Sequence, residues 1–315
     1  MSRSQSQSRS QSPSQPPPLR IGILPAWRGR TIESVLRHEF SFSRRQVIAL
    51  KKSDGIILNG VPVYAKTLLR GGEDLLIRFP PPNPQEIIAE KIDLAIIYED
   101  PDLIVVNKPA GMLVHPVRFH RTGTLANALT YHWQSTGSVA AFHPVHRLDQ
   151  PTSGLLLIAK SSWSHQQLSL QLQSRAIDRL YLAVSAGLPP STHGLITAPI
   201  KKCATGVKRF IAPDGQPART RYRTLKRTDQ AGLHLVKLIT GRTHQIRVHF
   251  AHLAAPLWGD ALYGQADATF SRPALHAVSL SFIHPRHQRR IKFRAPLPPD
   301  LETLLHHLGL FQSEY

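Results

Sequence analysis

Apolar residues fall along this chain in short runs separated by clusters of turn-forming residues. Leu94–Tyr98, Leu103–Val106, Leu155–Ala159, Tyr181–Val184, Leu233–Ile239 and Ala277–Ile283 have the length and aliphatic content of buried strands. Elsewhere the apolar positions recur at helical spacing. Thr124 precedes a segment carrying Leu125 and Leu129, and Ser164 begins one carrying Leu168 and Leu172. Asp300 precedes Leu301, Leu304, Leu305 and Leu308, with Gly309 as the stop. Each of these leading side chains can accept from the free N–H groups of a first helical turn. The Leu301–Leu308 stripe reads as core packing rather than a partner surface. Strands interspersed with a few helices, without regular strand–helix–strand repetition, predict an α+β fold over a doubly wound one. There is no internal repeat.

The first eighty residues carry their own pattern. Thr31 caps a helix opening Ile32-Glu33-Ser34-Val35-Leu36, and Ser43 precedes a second helix, Arg44–Lys52, with a basic face. Ile56–Val63 reads as a hairpin around Asn59-Gly60, and the runs up to Phe79 close the unit. Pro25-Ala26-Trp27 interrupts a stretch where a smoother helix start would be expected. Pro80-Pro81-Pro82-Asn83-Pro84 is stiff and marks the sharpest boundary. The division is therefore 1–20, a disordered basic tail; 21–79, a small α/β module; 80–93, a Pro-rich linker; and 94–315, the main domain.

Charge narrows the partners. The formal net charge is +19, with 13 Lys/Arg against 5 Asp/Glu in residues 1–79 and 26 against 15 beyond. Both parts attract polyanions, and nucleic acid is the first candidate. No apolar run approaches a membrane-spanning length, and the charge is not gathered on one amphipathic helix, so a membrane is not expected. Cys203 is the only cysteine, which excludes an internal disulfide. With no apolar secretory core at the N-terminus, a cytoplasmic location is expected. The Ser-, Gln- and Pro-rich start shares its composition with organelle transit peptides, but its lack of amphipathic pattern favours a disordered arm.

One string concentrates the chemistry. His146-Arg147-Leu148-Asp149-Gln150-Pro151-Thr152-Ser153-Gly154 sets a carboxylate between a basic pair and a turn, at the mouth of the apolar run Leu155–Ala159. Burial there would raise the carboxyl pKa, so a cationic partner is needed to keep it ionised. Read alone, the string is equally a structural ion pair beside a turn.

The wider sequence resembles the RluA-type pseudouridine synthases. The resemblance rests on His146–Asp149 with Thr152–Leu155, and on Glu99–Pro109 with Gly111–Pro116. Gly241-Arg242-Thr243-His244-Gln245-Ile246-Arg247-Val248-His249 and Gly259-Asp260-Ala261-Leu262-Tyr263-Gly264 follow in the same order and at similar spacing. It covers roughly residues 94 to 310. The resemblance implies a catalytic domain built on a large mixed, mostly antiparallel sheet flanked by helices, and isomerisation of a uridine in RNA to pseudouridine. No cofactor or metal is implied, since no redox change or donated group is involved.

The resemblance also assigns roles. Asp149 matches the essential aspartate, Arg247 the arginine that pairs with it, with Arg242 as second choice, and Tyr181 the tyrosine that packs on the target base. Arg147 matches the residue that displaces the target nucleotide. Residues 21–79 resemble the small RNA-binding domain of ribosomal protein S-four type, so Arg44, Arg45, Lys51 and Lys52 are expected on phosphates. The basic turn Arg286-His287-Gln288-Arg289-Arg290 is either a phosphate-contacting rim or an ordinary hairpin tip. Gly259-Asp260 reads as a structural turn. The partner is RNA, large-subunit rRNA ahead of tRNA, and a monomer is expected. A catalytically silent RNA-binding or ribosome-assembly factor is the rival class, opposed by the intact Asp149, Tyr181 and Arg247. Zinc chemistry of the deaminase kind is disfavoured. His244, His249 and His252 are spaced i, i+5, i+8, and neither an adjacent acid nor Cys203 completes a site.

Overall fold

The computed structural model describes residues 17–81 and 86–311. Most of the expected tail and the middle of the linker therefore lie outside the described residues. The N-terminal module comprises β1 (Leu19–Gly22), α1 (Ile32–His38), α2 (Arg44–Lys52), β2 (Ile56–Leu58), β3 (Val61–Pro62) and β4 (Asp74–Ile77). Its antiparallel sheet runs in the order β1-β4-β2-β3. The two helices start where the sequence places them. Thr31 Oγ1 accepts from the Ser34 amide, and Ser43 exchanges bonds with Gln46 in a capping box. Ile32, Val35, Leu36, Val47, Leu50, Leu75 and Ile77 fill the core between helices and sheet. One boundary needs correction. Leu19 pairs with Ile77 and Arg20 with Leu76, so the tail ends before residue 19 rather than at 20. Pro25–Trp27 forms a single 3-10 turn ahead of α1.

The second domain contains β5 (Ala95–Glu99), β6 (Leu103–Lys108), α3 (Leu125–Ser135), β7 (His143–Pro144), β8 (Ser153–Ala159) and α4 (Ser162–Gln173). Then come β9 (Asp178–Ala186), β10 (His193–Ile196), β11 (Ile200–Lys202), β12 (Arg209–Ile211), β13 (Thr220–Arg227) and β14 (Ala231–Leu238). It closes with α5 (Gln245–His252), β15 (Leu275–Ile283), β16 (Arg290–Arg294) and α6 (Pro299–His307). One sheet runs β10-β13-β14-β9-β15-β8-β6-β5, with β16 added to β15 and β7 to β8. All of its pairings are antiparallel except β15 with β8. The expected mixed, mostly antiparallel α+β architecture is what forms.

Alternation along the strands decides which helix covers which face. Ile104, Val106, Leu156, Ile158, Tyr181 and Val236 pack with Leu125 and Leu129 of α3 and with Ile246 and Phe250 of α5. On the other face Leu103, Val105, Leu155, Leu157 and Leu280 pack with Leu168 of α4. Leu182, Val184 and Leu233 meet Leu301, Leu304 and Leu305 of α6. Helix starts differ from expectation in two places. Ser161, not Ser164, caps α4, and Pro298 precedes α6 while Asp300 is held by Arg272. Residues 88–90 of the expected linker already lie on the second domain. Ile88 accepts from the Asn127 amide at 2.8 Å and Glu90 from the Gly123 N–H at 2.6 Å.

The two domains meet along α4. Trp163 packs at a tilt 6.1 Å from Phe42 and 5.4 Å from Phe79, and the Gln166 and Gln167 amides donate to the carbonyls of Ser41 and Phe40. Arg286 closes the seam. It forks onto Asp102 at 2.6 and 2.8 Å and donates to the Pro17 and Pro18 carbonyls. His284 binds Asp100 at 2.6 Å beside it. Arg286 is thus a structural tie, and the reading of it as a phosphate rim is corrected.

Candidate active site

Asp149 sits on the loop between β7 and β8, and the backbone around it is held from three sides. Thr152 N–H donates to the Asp149 carbonyl at 3.0 Å, making a tight turn. Gln150 exchanges two bonds with Gly111, its carbonyl accepting at 2.9 Å and its side-chain amide donating at 3.0 Å. Beneath the loop, the fully buried Lys108 ammonium donates to the carbonyls of Pro109, Met112 and Gln150. Gly154 lets β8 run against β15. A Cβ there would lie 2.4 Å from the Ala277 carbonyl oxygen, and φ is +114°. Leu148 and His146 point inward, leaving Arg147 exposed and Asp149 half-buried.

A cavity of about 620 Å³ opens beside this loop. Asp149, Tyr181, Arg147, Arg242 and Arg247 all line it, so five residues separated by up to a hundred positions converge. Tyr181 enters from β9, opposite Val236 on one side and Ala277 on the other, which places it at the centre of the sheet. It is almost wholly buried, and burial raises its hydroxyl pKa, with Arg179 opposing and Asp149 adding to the shift. Arg242 and the turn Ile239–His244 bring β14 into α5 over the cavity. The Asp149 carboxylate accepts no hydrogen bond from the described residues, yet its charge acts on Lys108, Tyr181, His244 and Arg247. Burial pushes the Lys108 ammonium down to about 7, against the pull of Asp149.

The partner of Arg247 differs from expectation. Arg247 Nε and Nη2 each donate at 2.7 Å to the two oxygens of Asp260, and its guanidinium lies 5.0 Å from the Tyr263 ring centre. No direct bond joins it to Asp149. The reason lies in Gly259-Asp260, which sequence reasoning took for a simple turn. Gly259 has φ +69° and no room for a Cβ, and the turn delivers a fully buried carboxylate squarely to the guanidinium fork. Arg242 donates its Nε to the Pro217 carbonyl at 3.2 Å and also leaves Asp149 free.

Arg44, Arg45 and Lys52 stand exposed on α2, in the other domain. Lys51 is spent on Glu33 at 2.7 Å. His249 and His244 have protein partners. His249 shares its two nitrogens with Thr220 Oγ1 and the Ala198 carbonyl, and His244 contacts the Tyr263 hydroxyl at 2.8 Å.

Sequence reasoning missed Lys108, Arg179 and Asp260. Arg179 had a usable signal. It stands two residues before Tyr181 in a strand, hence on the same face.

Comparison with known proteins gives the class. Residues 102–252 match the model of the RNA pseudouridylate synthase family. A Bacillus subtilis protein named uncharacterized RNA pseudouridine synthase YlyB is 40% identical over 275 residues, covering 86% of this chain and 91% of that one. The ribosomal large subunit pseudouridine synthase D of Pseudomonas aeruginosa is 36% identical over 293 residues, 88% of this chain and 91% of its own. The solved human RNA pseudouridylate synthase domain containing 4 superposes with a TM-score of 0.58 over 68% of this chain and 93% of that chain, at 24% identity, a likeness of fold. The chain belongs to the RluA-type RNA pseudouridine synthases. It is an isomerase acting on uridine in RNA. No helix among the described residues is long and apolar enough to cross a membrane.

Proposed function

We propose that this enzyme isomerises specific uridines of large-subunit ribosomal RNA, with Asp149 as the group that acts on the sugar and base. The observation that carries the reading is the Asp149 carboxylate. It is half-buried and without a hydrogen-bonded partner among the described residues, in a cavity of nucleotide size whose wall is Tyr181. A carboxylate without a hydrogen-bonded partner, whose charge reaches Lys108, His244 and Arg247, is available to the substrate. The target nucleotide must leave its helix to reach it, because the glycosidic bond is inaccessible within a paired stack. Arg147, exposed at the mouth, fills the vacated position. The base then stacks on Tyr181, a contact worth about 1–3 kcal/mol. Arg247 acts on Asp149 through its charge across the cavity while Asp260 fixes its position. Arg44, Arg45 and Lys52 on the docked module grip phosphates, and no cofactor or metal takes part.

The ribosomal substrate is supported by the activity for which the Pseudomonas relative is named and by the module ahead of the catalytic domain. Mapping pseudouridines in total RNA from cells with and without the gene tests it. Loss of a modification in large-subunit rRNA, restored by wild type and not by Asp149→Asn, is the expected result. A loss confined to tRNA would replace the substrate, and an unchanged map would favour a silent RNA-binding factor.

A further inference from the structure

The cavity holds a second group with no partner. Arg179 is 7% exposed, its Nε is buried without an acceptor, and its guanidinium makes no hydrogen bond or ion pair among the described residues. It lines the same cavity as Asp149 and stands on the same strand face as Tyr181, two residues away, about 7 Å along the strand. Gly241 lies against it, where even a Cβ would come within 3.0 Å of Nη1. A guanidinium cannot discharge itself by losing a proton, so its burial without a counter-charge destabilises the free enzyme. Asp260 neutralises Arg247 and Asp102 neutralises Arg286, but no acid among the described residues pairs with Arg179.

We infer that Arg179 is a catalytic residue whose counter-anion is the substrate base itself, taken as uracil detaches from the sugar. The inference rests on the proposed reaction. When the C1′–N1 bond breaks, its electron pair stays with the base, which carries one negative charge spread over N1, O2 and O4. The charge is used when C5 bonds to C1′. The C5 proton is then lost and N1 takes one up, so atoms and electrons balance without a co-reactant. A planar donor fork fits the oxygen edge of such an anion. Depth separates this role from phosphate binding. Arg147 and Arg242 are exposed at the mouth, where the RNA backbone runs, whereas Arg179 is sunk beside the ring of Tyr181 on which the base stacks.

The test compares Arg179→Gln and Arg179→Lys with the parent enzyme in three measurements: RNA affinity, single-turnover isomerisation at saturating enzyme, and Tm of the free protein. Removing a donor aimed at charge that appears only during reaction costs about 10²–10³ in rate. Arg179→Gln is expected to lose that much in rate, hold affinity within about threefold, and melt no lower than the parent. The lysine variant, charged but without the fork, is expected to recover part of the rate. Affinity lost in full with the rate intact would assign the guanidinium to a phosphate and overturn the inference. Unchanged rate and affinity, or a collapse of the fold in both variants, would make Arg179 structural and overturn it equally. Failure of the parent enzyme to turn over any rRNA would instead contradict the proposed function, which this comparison reads separately.

Discussion

Arg247 closes a two-bond fork on Asp260, and that pairing, not one with Asp149, fixes the arginine in the wall of the cavity. The carboxylate is fully buried and its Oδ1 also accepts from the Leu262 amide. Cutting one partner from such a pair strands a buried charge, at a cost of about 3–5 kcal/mol. Asp260→Asn is therefore expected to lower Tm strongly and reduce activity together. Arg247→Lys, which keeps charge but not the fork, is expected to do the same more weakly. Thermal melts and isomerisation rates on the same preparations check both.

Stability is expected to fall steeply as pH drops. Burial pushes His146 down to about 3, and His234, His249 and His276 each to about 4. In the unfolded chain these rings titrate at about 6.5, so between about pH 6.5 and 4 the unfolded state binds more protons than the folded one. The stability these rings contribute is fully present above pH 6.5 and is lost as pH falls toward their folded values. Each ring contributes a slope of up to about 1.4 kcal/mol per pH unit in that window. Denaturant titrations from pH 7 to 4.5 measure it, and His234→Gln, whose ring contacts Ser185 and Thr224 hydroxyls, should flatten the slope.

Trp163 holds the module to the catalytic domain. Its ring, 3% exposed, packs on Phe42 and Phe79 and lies under the Arg286 guanidinium. Truncating a buried aromatic costs about 3–5 kcal/mol. Trp163→Ala is expected to split one cooperative melt into two and to make the segment after Phe79 sensitive to limited proteolysis. A single transition with unchanged protection would count against a seam built on this residue.

The exposed arginines of α2 are expected to set the salt dependence of RNA binding. Each lost phosphate contact reduces the slope of log K against log salt by about 0.7–0.9. Arg44→Ala and Arg45→Ala should each do so, while Lys51→Ala should change it less because Glu33 already engages its ammonium. Binding isotherms at several salt concentrations give the slopes.

Much of this was legible before the structure. The six apolar runs all became strands of the main sheet, because short aliphatic runs bounded by turn residues mark strands directly. β13 escaped notice because its outward positions are arginines, Arg221 and Arg223, alternating with Thr220 and Tyr222, so polarity masked the period of two. The convergence of Asp149, Tyr181 and Arg247 was readable from ordered motifs. The choice of Asp260 as the arginine's partner was not, since it depends on a turn geometry that only Gly259 permits. Lys108 and Arg179 were hidden for a related reason. A charged residue inside an apolar strand shows its importance only when its burial and its partners are known.

The central claim is that Asp149 performs the chemistry while other groups bind the RNA. The most direct measurement is single-turnover isomerisation of an rRNA fragment by wild type and Asp149→Asn, with RNA affinity measured alongside. No detectable product is expected from Asp149→Asn, with an affinity within about threefold of wild type, since the change is isosteric and the carboxylate holds no other described residue in place. Turnover retained by the asparagine variant would contradict the claim.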